Sequence, residues 1–430
     1  MARFIIDGGH PISGVIQASG NKNAALPILC ASILSDRGVW IRNVPKIGDV
    51  ATLIALLENL GMRFARQGDY DLRSLSSSLS DRPLDPGLCR AARGSVLLAV
   101  PLLHRFGRVE LPFPGGDRIG RRRIDTHLLA LEQMGAAITA RPSSLVISAP
   151  RGGLRGRDIL LDEASVTATE NAVMGAALAK GASVIRNAAC EPHVQELCLF
   201  LNSLGADISG IGTNLLRVNG VPSLSRENQE AALGPDYLEV ASLMVLAVIT
   251  GGELVVENVR AEDLRMILFQ FRRLGMAAEV RGESLYVPAN QPRRIQRDFL
   301  GSIPTIASST WPSFPADLTS IALVAATQME GGAVIHEKMF ESRLFFVDQL
   351  LDMGAKVVLC DPHRAVVVGP SELHGARMHS PDIRAGMALL AAAFAARGES
   401  VIENVVQIDR GYEQIDRRLG RLGARIEKED

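Results

Sequence analysis

Two segments of the sequence place cationic side chains where an anion could bind. Residues 19–25 carry Lys22 and Asn23 at the expected start of an apolar helix, and backbone amides at a helix start also favour anions. Residues 114–127 combine glycines with a run of arginines and lead into the next helix. Taken alone, the first segment could also be an asparagine cap beside a solvated lysine. The second could be a solvated turn or a nucleic-acid-binding patch.

Charged residues also stand at later helix starts. Asp317 precedes an alanine-rich helix and could simply cap it. Arg343, Arg384 and Arg410 each begin or precede an expected helix, although single arginines are most often partners in surface ion pairs. The histidines share no metal-ligand spacing, so we expect no metal site.

Composition excludes several classes of protein. The chain has 430 residues, and its 46 lysines and arginines balance 47 aspartates and glutamates, which disfavours binding to nucleic acid through bulk charge. Its longest apolar stretches fall short of the roughly 20 residues that a membrane span needs. No signal-peptide core is visible, and the five cysteines lack a Cys-x-x-Cys spacing. We therefore expect a cytoplasmic protein without disulfides, zinc or membrane insertion.

A short motif recurs along the whole chain. Leu or Met, then Gly, then Ala or Met occurs six times at near-constant intervals, with the glycines at positions 61, 135, 205, 275, 354 and 423. Each glycine follows an apolar-periodic segment and precedes an alternating one, which predicts a left-handed helix cap leading into a strand. Most copies are preceded by a β-branched run that ends in a polar turn.

Alanine- and leucine-rich segments precede these runs and predict buried helices, since helices apolar on nearly all sides lie in an interior. They cover residues 23–35, 171–180, 238–249 and 384–397. The sequence thus predicts an α/β protein of six repeated units of about 70 residues, with buried helices and outward-facing sheets, in two groups of three.

The repeat and these loops together resemble the enolpyruvyltransferases over essentially the full length. The resemblance implies a two-domain, inside-out α/β barrel fold with the active site in the cleft between the domains. One domain would be residues 22–234, with the mobile Asp117 loop, and the other residues 1–21 and 235–430. The implied reaction transfers the enolpyruvyl group of phosphoenolpyruvate to the 3-hydroxyl of UDP-N-acetylglucosamine and releases phosphate. In the family this is the first committed step of peptidoglycan synthesis. No cofactor is implied.

The resemblance assigns the donor site residue by residue. Asp317 would be the base that takes the proton of the sugar hydroxyl, and Asp117, Lys22, Arg122 and Arg410 would complete the catalytic set. Phosphoenolpyruvate would be bound by Lys22, Arg93, Arg122, Arg343, Arg384 and Arg410. Most members carry a cysteine at the Asp117 position, where the antibiotic fosfomycin alkylates it. A carboxylate is a far poorer nucleophile than a thiolate, so we expect this protein to be insensitive to fosfomycin.

The resemblance also assigns the nucleotide site. Its residues would be Asn23, Arg122, Arg123, Ile124, Asp125, Thr126, Ser165, Val166, Thr167 and Asp317, with His127 shaping the uracil pocket. Four positions depart from the family: Arg123 for proline, Thr126 for leucine, Glu163 for lysine and Thr167 for glycine.

These departures leave two alternatives open: transfer to another uridine nucleotide such as UMP, or a silent paralogue that only binds a nucleotide sugar. Retention of the complete charge set favours an enzyme. The expected partners are phosphoenolpyruvate and a uridine nucleotide sugar, with no nucleic acid and no obligatory protein partner.

Overall fold

The computed structural model describes residues 2–226 and 230–429, which divide into two compact units. The first unit comprises Met1–Ser19, Asp117–Arg122 and Pro235–Asp430, and the second comprises Gly20–Gly116 and Arg123–Gly234. We had expected the whole loop around residue 117 to lie in the domain of residues 22–234. Residues 117–122 instead group with the first unit because hydrogen bonds fix them there: Arg121 N donates to Glu341 Oε1 over 2.7 Å, and Ser342 N donates to Ile119 O over 3.1 Å.

Helices and strands alternate along both units. The strands are β1 (Arg3–Asp7), β2 (Gly14–Gln17), β3 (Val39–Arg42), β4 (Arg63–Gln67), β5 (Asp71–Leu75), β6 (Arg108–Pro112), β7 (Ala137–Ala140), β8 (Ser144–Ser148), β9 (Asp158–Leu160), β10 (Ala182–Arg186), β11 (Asp207–Ser209), β12 (Leu215–Asn219), β13 (Glu230–Ala232), β14 (Leu254–Glu257), β15 (Glu279–Arg281), β16 (Ser284–Val287), β17 (Thr305–Ala307), β18 (Gly331–His336), β19 (Val357–Asp361), β20 (Arg364–Gly369), β21 (Arg377–His379), β22 (Glu399–Glu403) and β23 (Arg425–Glu429).

The α-helices are α1 (Lys22–Ala31), α2 (Gly48–Asn59), α3 (Pro86–Ala91), α4 (Ala99–Phe106), α5 (Asp125–Gln133), α6 (Val166–Ala177), α7 (Pro192–Leu204), α8 (Tyr237–Thr250), α9 (Ala261–Arg273), α10 (Thr319–Thr327), α11 (Val347–Asp352), α12 (Ile383–Ala395), α13 (Val406–Asp409) and α14 (Ile415–Gly420). Short 3₁₀ helices lie at Ser32–Leu34, Arg93–Leu98, Phe299–Gly301 and Ala316–Leu318. No helix in the described part of the chain combines the length and hydropathy needed to cross a membrane.

The second unit surrounds apolar helices with sheets. Its described strands form sheets in the orders β13-β3-β5-β4, β11-β12-β10-β9 and β6-β8-β7. Helices α1 and α6 are buried along most of their length, and α4 is buried over its first five residues. Their side chains form one apolar core with the inner faces of the sheets. The three-stranded sheet contains β6, whose sequence, Arg-Val-Glu-Leu-Pro, is less β-branched than its counterparts in the other repeats.

The first unit repeats this arrangement. Its described strands form sheets in the orders β21-β22-β1-β23, β15-β16-β14-β2 and β17-β18-β20-β19. Helices α8, α10 and α12 pack against each other, and nearly all their residues are buried. Helices apolar on all sides need an interior that encloses them, which the sheets supply. The predicted buried helices and α/β repeat are confirmed in both units.

The repeated glycines have the predicted conformation. All six adopt a left-handed backbone, with φ between 90° and 114°, one to three residues after a helix, and in each unit the next strand begins two to four residues later. The polar turns repeat as well, since Asn43, Asn187, Asn258 and Asn404 share a φ of 58–60°. Asparagine tolerates this region better than other non-glycine residues. The repeat in the sequence therefore reflects the glycines after the helices and the asparagines after the strands, which adopt the same backbone conformation in successive units.

One predicted helix boundary is wrong. Helix α6 begins at Val166, five residues before the predicted start at residue 171. Its first turn contains Thr167 and Thr169, and β-branched residues lower helix propensity, so the apolar pattern did not mark this turn. The turn carries residues 165–167, which the family resemblance assigns to the nucleotide site.

Candidate active site

Asp317 lies between two buried arginines of the first unit. Its Oδ1 accepts a hydrogen bond from Arg343 Nη2 over 2.8 Å, and its Oδ2 accepts one from Arg384 Nε over 3.2 Å. Asp317 sits in a 3₁₀ turn directly before α10, but that helix has no side-chain cap. The cap interpretation is therefore wrong, because the carboxylate is turned towards the arginines. An unprotonated carboxylate in this setting can act as a base.

Arg343 is held between two carboxylates. Its side chain is only 2% exposed, and its Nε lies 3.9 Å from Oε2 of the fully buried Glu337. Glu337 also accepts hydrogen bonds from the hydroxyls of Ser308 (3.0 Å) and Thr319 (2.7 Å). Among the described residues, Nε and Nη1 of Arg343 have no hydrogen-bond acceptor. Buried donors of this kind are costly unless a ligand accepts from them.

Arg384 is fixed by the start of α12. Asp382 caps that helix by accepting from the amides of Arg384 (2.8 Å) and Ala385 (2.9 Å). The guanidinium donates from Nη1 to Tyr412 Oη over 3.0 Å, and burial raises the pKa of Tyr412, so the phenol stays neutral. Its Nη2 is buried and, within the described residues, has no hydrogen-bond partner. Arg384 therefore presents one more buried donor beside Asp317.

Asp117 and Arg410 form an ion pair. Arg410 Nη1 donates to Asp117 Oδ1 over 2.6 Å and to Gln407 Oε1 over 2.7 Å. Burial lowers the pKa of the neighbouring Arg122, while the charges of Asp117 and Asp317 oppose that shift. The structure thus brings together the predicted residues of the first unit. These four arginines outnumber the three carboxylates of Asp117, Asp317 and Glu337 beside them, and the buried nitrogens without acceptors suit a small anionic ligand.

Glu337 and Tyr412 were missed by the sequence analysis. Glu337 stands at the polar turn after β18, where four other repeats have asparagine, and this break in the repeat was the available signal. Tyr412 lies within two residues of Arg410 in the same short segment.

Lys22 opens α1 in the second unit. Asn21 caps this helix by accepting from the amides of Asn23 (2.8 Å) and Ala24 (3.1 Å), as the cap interpretation expected. Lys22 is not solvated, however: its Nζ lies 3.4 Å from Asp49 Oδ2, and the two side chains are 12% and 9% exposed. The Asn23 side chain makes no hydrogen bond within the described residues.

Asp162 connects two of the four departures from the family pattern. Its carboxylate accepts from Arg123 Nη2 over 2.5 Å and from Thr126 Oγ1 over 2.7 Å, and the Thr126 bond is the main cause of its lowered pKa. Arg93 Nη2 donates to the Arg123 carbonyl over 3.0 Å, and Arg123 Nε lies 3.7 Å from Asp125. Arginine and threonine at these positions are therefore accommodated by one shared carboxylate.

Ile124 and Ser165 occupy helix starts in this unit. Ile124 precedes α5, and its carbonyl accepts from the amides of His127 and Leu128. Ser165 precedes α6 and makes no side-chain cap bond, and Val166 is the first residue of that helix.

Thr167 belongs to a chain of side-chain hydrogen bonds. Its Oγ1 lies 3.0 Å from His127 Nε2, and His127 Nδ1 lies 2.9 Å from Asn171 Nδ2. Burial is the main cause that lowers the pKa of His127 to about 3, so the ring is neutral near pH 7. The fourth departure, Glu163, has an exposed side chain, and its carbonyl accepts from the Ser165 amide.

The family of the chain follows from its full-length match to known sequences. The family of EPSP synthase (3-phosphoshikimate 1-carboxyvinyltransferase) matches residues 6–419. The chain belongs to this enolpyruvyltransferase family. The resemblance inferred from the repeat and the loops is confirmed.

Several enolpyruvyltransferases are similar to this chain over nearly their full length. The UDP-N-acetylglucosamine 1-carboxyvinyltransferase of Bradyrhizobium diazoefficiens is 51% identical, covering 99% of this chain and 98% of the relative. Those of Treponema denticola and Bacteroides thetaiotaomicron are 49% and 48% identical, with 99% of both chains covered in each comparison.

Solved structures of enolpyruvyltransferases share the fold. The enolpyruvyl transferase NikO from Streptomyces tendae matches with a TM-score of 0.88 at 24% identity, over 100% of this chain and 99% of that one. EPSP synthase from Acinetobacter baumannii matches with a TM-score of 0.68 at 16% identity, over 100% of both chains. At these identities the likeness establishes the fold, which agrees with the predicted enolpyruvyltransferase architecture.

Proposed function

We propose that this enolpyruvyltransferase moves the enolpyruvyl group of phosphoenolpyruvate to the 3-hydroxyl of UDP-N-acetylglucosamine and releases phosphate. The observation that carries the proposal is the pair of buried arginines, Arg343 and Arg384, that hold Asp317 between them. Relatives of about 50% identity are named UDP-N-acetylglucosamine 1-carboxyvinyltransferase, and this supports UDP-N-acetylglucosamine as the acceptor. The reaction serves peptidoglycan synthesis.

Binding of the donor uses the positive charge of the cluster. Phosphoenolpyruvate carries a carboxylate and a phosphate, and guanidinium groups bind both through paired hydrogen bonds. The buried nitrogens of Arg343 and Arg384 that lack acceptors supply donors for these oxygens. We assign Arg122 and Arg410 to the phosphate that leaves, and Lys22 and Arg93 to the same donor.

We assign Asp317 to the role of the base. In the addition step the 3-hydroxyl oxygen attacks C2 of phosphoenolpyruvate while Asp317 takes the hydroxyl proton, and a general acid protonates the methylene carbon, which becomes a methyl group. In the elimination step the C2–O bond to phosphate breaks with its electron pair on the phosphate, the conjugate base of that acid takes one methyl proton, which restores the double bond, and the proton held by Asp317 leaves with the phosphate. Asp317 accepts two hydrogen bonds from arginines, so it begins the cycle unprotonated.

Asp117 must change partners during this cycle. It accepts a hydrogen bond from Arg410, and we assign the same arginine to the phosphate of the donor. When that phosphate takes Arg410, Asp117 loses this partner and becomes available as a general acid or base. The Asp117→Ala variant tests this role, because retained turnover excludes an obligatory proton donor at this position.

Most of the residues that we assign to the acceptor belong to the second unit. We assign the uridine to residues 123–126 and the diphosphate to the start of α6 at residues 165–167, where backbone amides favour phosphate. Asn23 and Asp317 would contact the sugar.

Phosphate release from phosphoenolpyruvate tests the proposal directly. Purified protein is assayed with UDP-N-acetylglucosamine, UMP or shikimate 3-phosphate as acceptor, and the product is identified by mass spectrometry. We expect release with UDP-N-acetylglucosamine alone. Release with UMP alone would assign a different nucleotide acceptor. No release with any of the three, despite measurable nucleotide binding, would identify a binding protein.

A further inference from the structure

The turn after β18 differs from the corresponding turns of three other repeats. Asn43, Asn187 and Asn404 each follow a strand directly, and each donates a side-chain hydrogen bond of 2.9–3.0 Å to a backbone carbonyl. In every case that carbonyl belongs to the residue directly after the neighbouring parallel strand. Glu337 has this place after β18, and Ser308 directly follows the parallel strand β17. An ionised carboxylate cannot donate, so the direction is reversed here: the Ser308 hydroxyl donates to Glu337 Oε1 over 3.0 Å.

Four neutral donors hold the Glu337 carboxylate in one orientation. Besides the serine hydroxyl, Oε1 accepts from the amides of Met339 (2.8 Å) and Phe340 (3.2 Å), and Oε2 accepts from the Thr319 hydroxyl over 2.7 Å. The side chain is fully buried, so water does not share in these bonds. Donors on both oxygens and the nearby guanidinium of Arg343 favour the ionised carboxylate, which only accepts. A negative charge is therefore held at a defined place beside Arg343.

Arg343 lies between this charge and Asp317. Its Nη2 donates to Asp317 Oδ1 over 2.8 Å, whereas its Nε lies 3.9 Å from Glu337 Oε2, which is too far for a hydrogen bond. Glu337 thus acts on the guanidinium through its charge. A guanidinium next to a carboxylate opposes protonation of that carboxylate, and a second carboxylate beside the guanidinium weakens this opposition. Without the charge of Glu337, Asp317 would feel the full effect of Arg343.

We infer that Glu337 is a positioning residue of the transfer reaction: its negative charge offsets Arg343, so that Asp317 can take the proton of the acceptor hydroxyl. The inference rests on the proposed function, which gives Asp317 the role of the base. Glu337 acts through Arg343 and does not have to touch either substrate. The same argument accounts for the change from asparagine to glutamate at this turn, because asparagine would bring no charge.

Glu337→Gln removes the charge and keeps the hydrogen bonds. The amide oxygen accepts in the place of Oε1, and the amide nitrogen donates in the place of Oε2 to Thr319, whose hydroxyl turns to accept. We expect kcat to fall about tenfold, because the stronger attraction between Arg343 and Asp317 must be overcome in the step that protonates Asp317.

Binding of phosphoenolpyruvate distinguishes this charge effect from a merely structural one. We assign Arg343 to this anion, so loss of the neighbouring negative charge should leave the donor affinity unchanged or raise it. If Glu337 only kept Arg343 in place, its replacement would displace the arginine and weaken donor binding. Calorimetric titration of phosphoenolpyruvate without acceptor measures the affinity in the absence of turnover. In Glu337→Gln we expect kcat to fall while the Kd for phosphoenolpyruvate does not rise.

A second pair of variants changes the charge at constant side-chain size. Glu337→Asp keeps the carboxylate, and Glu337→Asn has the residue that three other repeats carry at this turn. We expect kcat to be about tenfold lower in Glu337→Asn than in Glu337→Asp. Glu403→Gln is the matched control, because Glu403 ends β22 and pairs with Arg377 outside the cluster. Its kcat should equal that of the original protein.

Steady-state kinetics are measured with the acceptor that supports phosphate release. A kcat of Glu337→Gln close to that of the control, equal kcat values in the aspartate and asparagine variants, or a loss of donor affinity together with kcat overturns the inference and leaves the proposed function intact. If neither neutral variant folds, Glu337 is required for the fold and the inference is overturned as well. No phosphate release from the original protein with any acceptor overturns both the inference and the proposed function.

Discussion

Arg410 donates a hydrogen bond over 2.6 Å to Asp117, and this pair ties the loop of residues 117–122 to the last quarter of the first unit. Both side chains are largely buried, at 16% and 15% exposed. The carboxylate is thus an acceptor held against a cation. A thiolate at the same position would gain reactivity from the same neighbours, because nearby arginines favour the charged form of a thiol.

Fosfomycin should therefore leave this protein unmodified. Asp117 is a weak nucleophile, and we expect intact-mass spectrometry to find no adduct after incubation with the drug. The Asp117→Cys variant is expected to gain a single adduct and to lose activity with time. The original protein, which retains Cys360 as an exposed thiol, is the control for labelling elsewhere. Alkylation of Asp117 in the original protein would contradict the prediction.

Removal of the charge of Asp317 should abolish most turnover. Asp317→Asn keeps the size of the side chain but removes the base, and we expect kcat to fall by about 10²- to 10⁴-fold. The matched control is Asp298→Asn, which changes an aspartate bound to Arg273 outside the site. Steady-state kinetics of both variants check the prediction. A kcat for Asp317→Asn close to that of the control would exclude Asp317 as the base.

Asp162 should control affinity for the acceptor. Asp162→Asn weakens the bonds from Arg123 and Thr126, and we expect the KM for UDP-N-acetylglucosamine to rise about three- to tenfold. Because Asp162 is 43% exposed, the free energy of unfolding should change by less than about 1 kcal/mol. Asp158→Asn removes an exposed partner of Arg186 and serves as the control. An unchanged KM would show that this carboxylate does not organise the nucleotide loop.

Glu170 should make stability fall as pH rises. Its side chain is buried, and burial, followed by the charge of Glu191, raises its pKa well above the usual 4.5. The folded state therefore keeps a proton that the unfolded state releases above about pH 4.5. Stability from this group is complete below that pH and is lost at up to about 1.4 kcal/mol per pH unit until the folded pKa is reached.

The Glu170→Gln variant isolates this effect. Urea unfolding between pH 5 and pH 8 should show the variant gaining stability over the original protein as pH rises. Glu58→Gln, at an exposed position of α2, should give a constant difference. Parallel curves for Glu170→Gln and the original protein would mean that Glu170 is ionised in the folded state.

The fold was predictable where the signal is local. Glycine caps and apolar helices are properties of a few consecutive residues, so Gly61 and its five counterparts marked every unit. The partners of the site residues were harder to predict from the sequence. Asp162 lies 39 residues from Arg123, and nothing in the sequence between them requires that they pair. Asp317 was an ambiguous case, because an aspartate before a helix usually caps it, and here two distant arginines compete successfully for the carboxylate.

The pairing of β1 with both β22 and β23 determines when each of the two units can fold during synthesis. Every strand of the second unit has been made by residue 232, so that unit can assemble while translation continues. The first unit must keep residues 3–7 unpaired until residues 399–429 have left the ribosome. During that interval β1, whose Phe4 and Ile6 are buried in the finished fold, has no partner strand, and an unpaired strand of this kind is prone to aggregation.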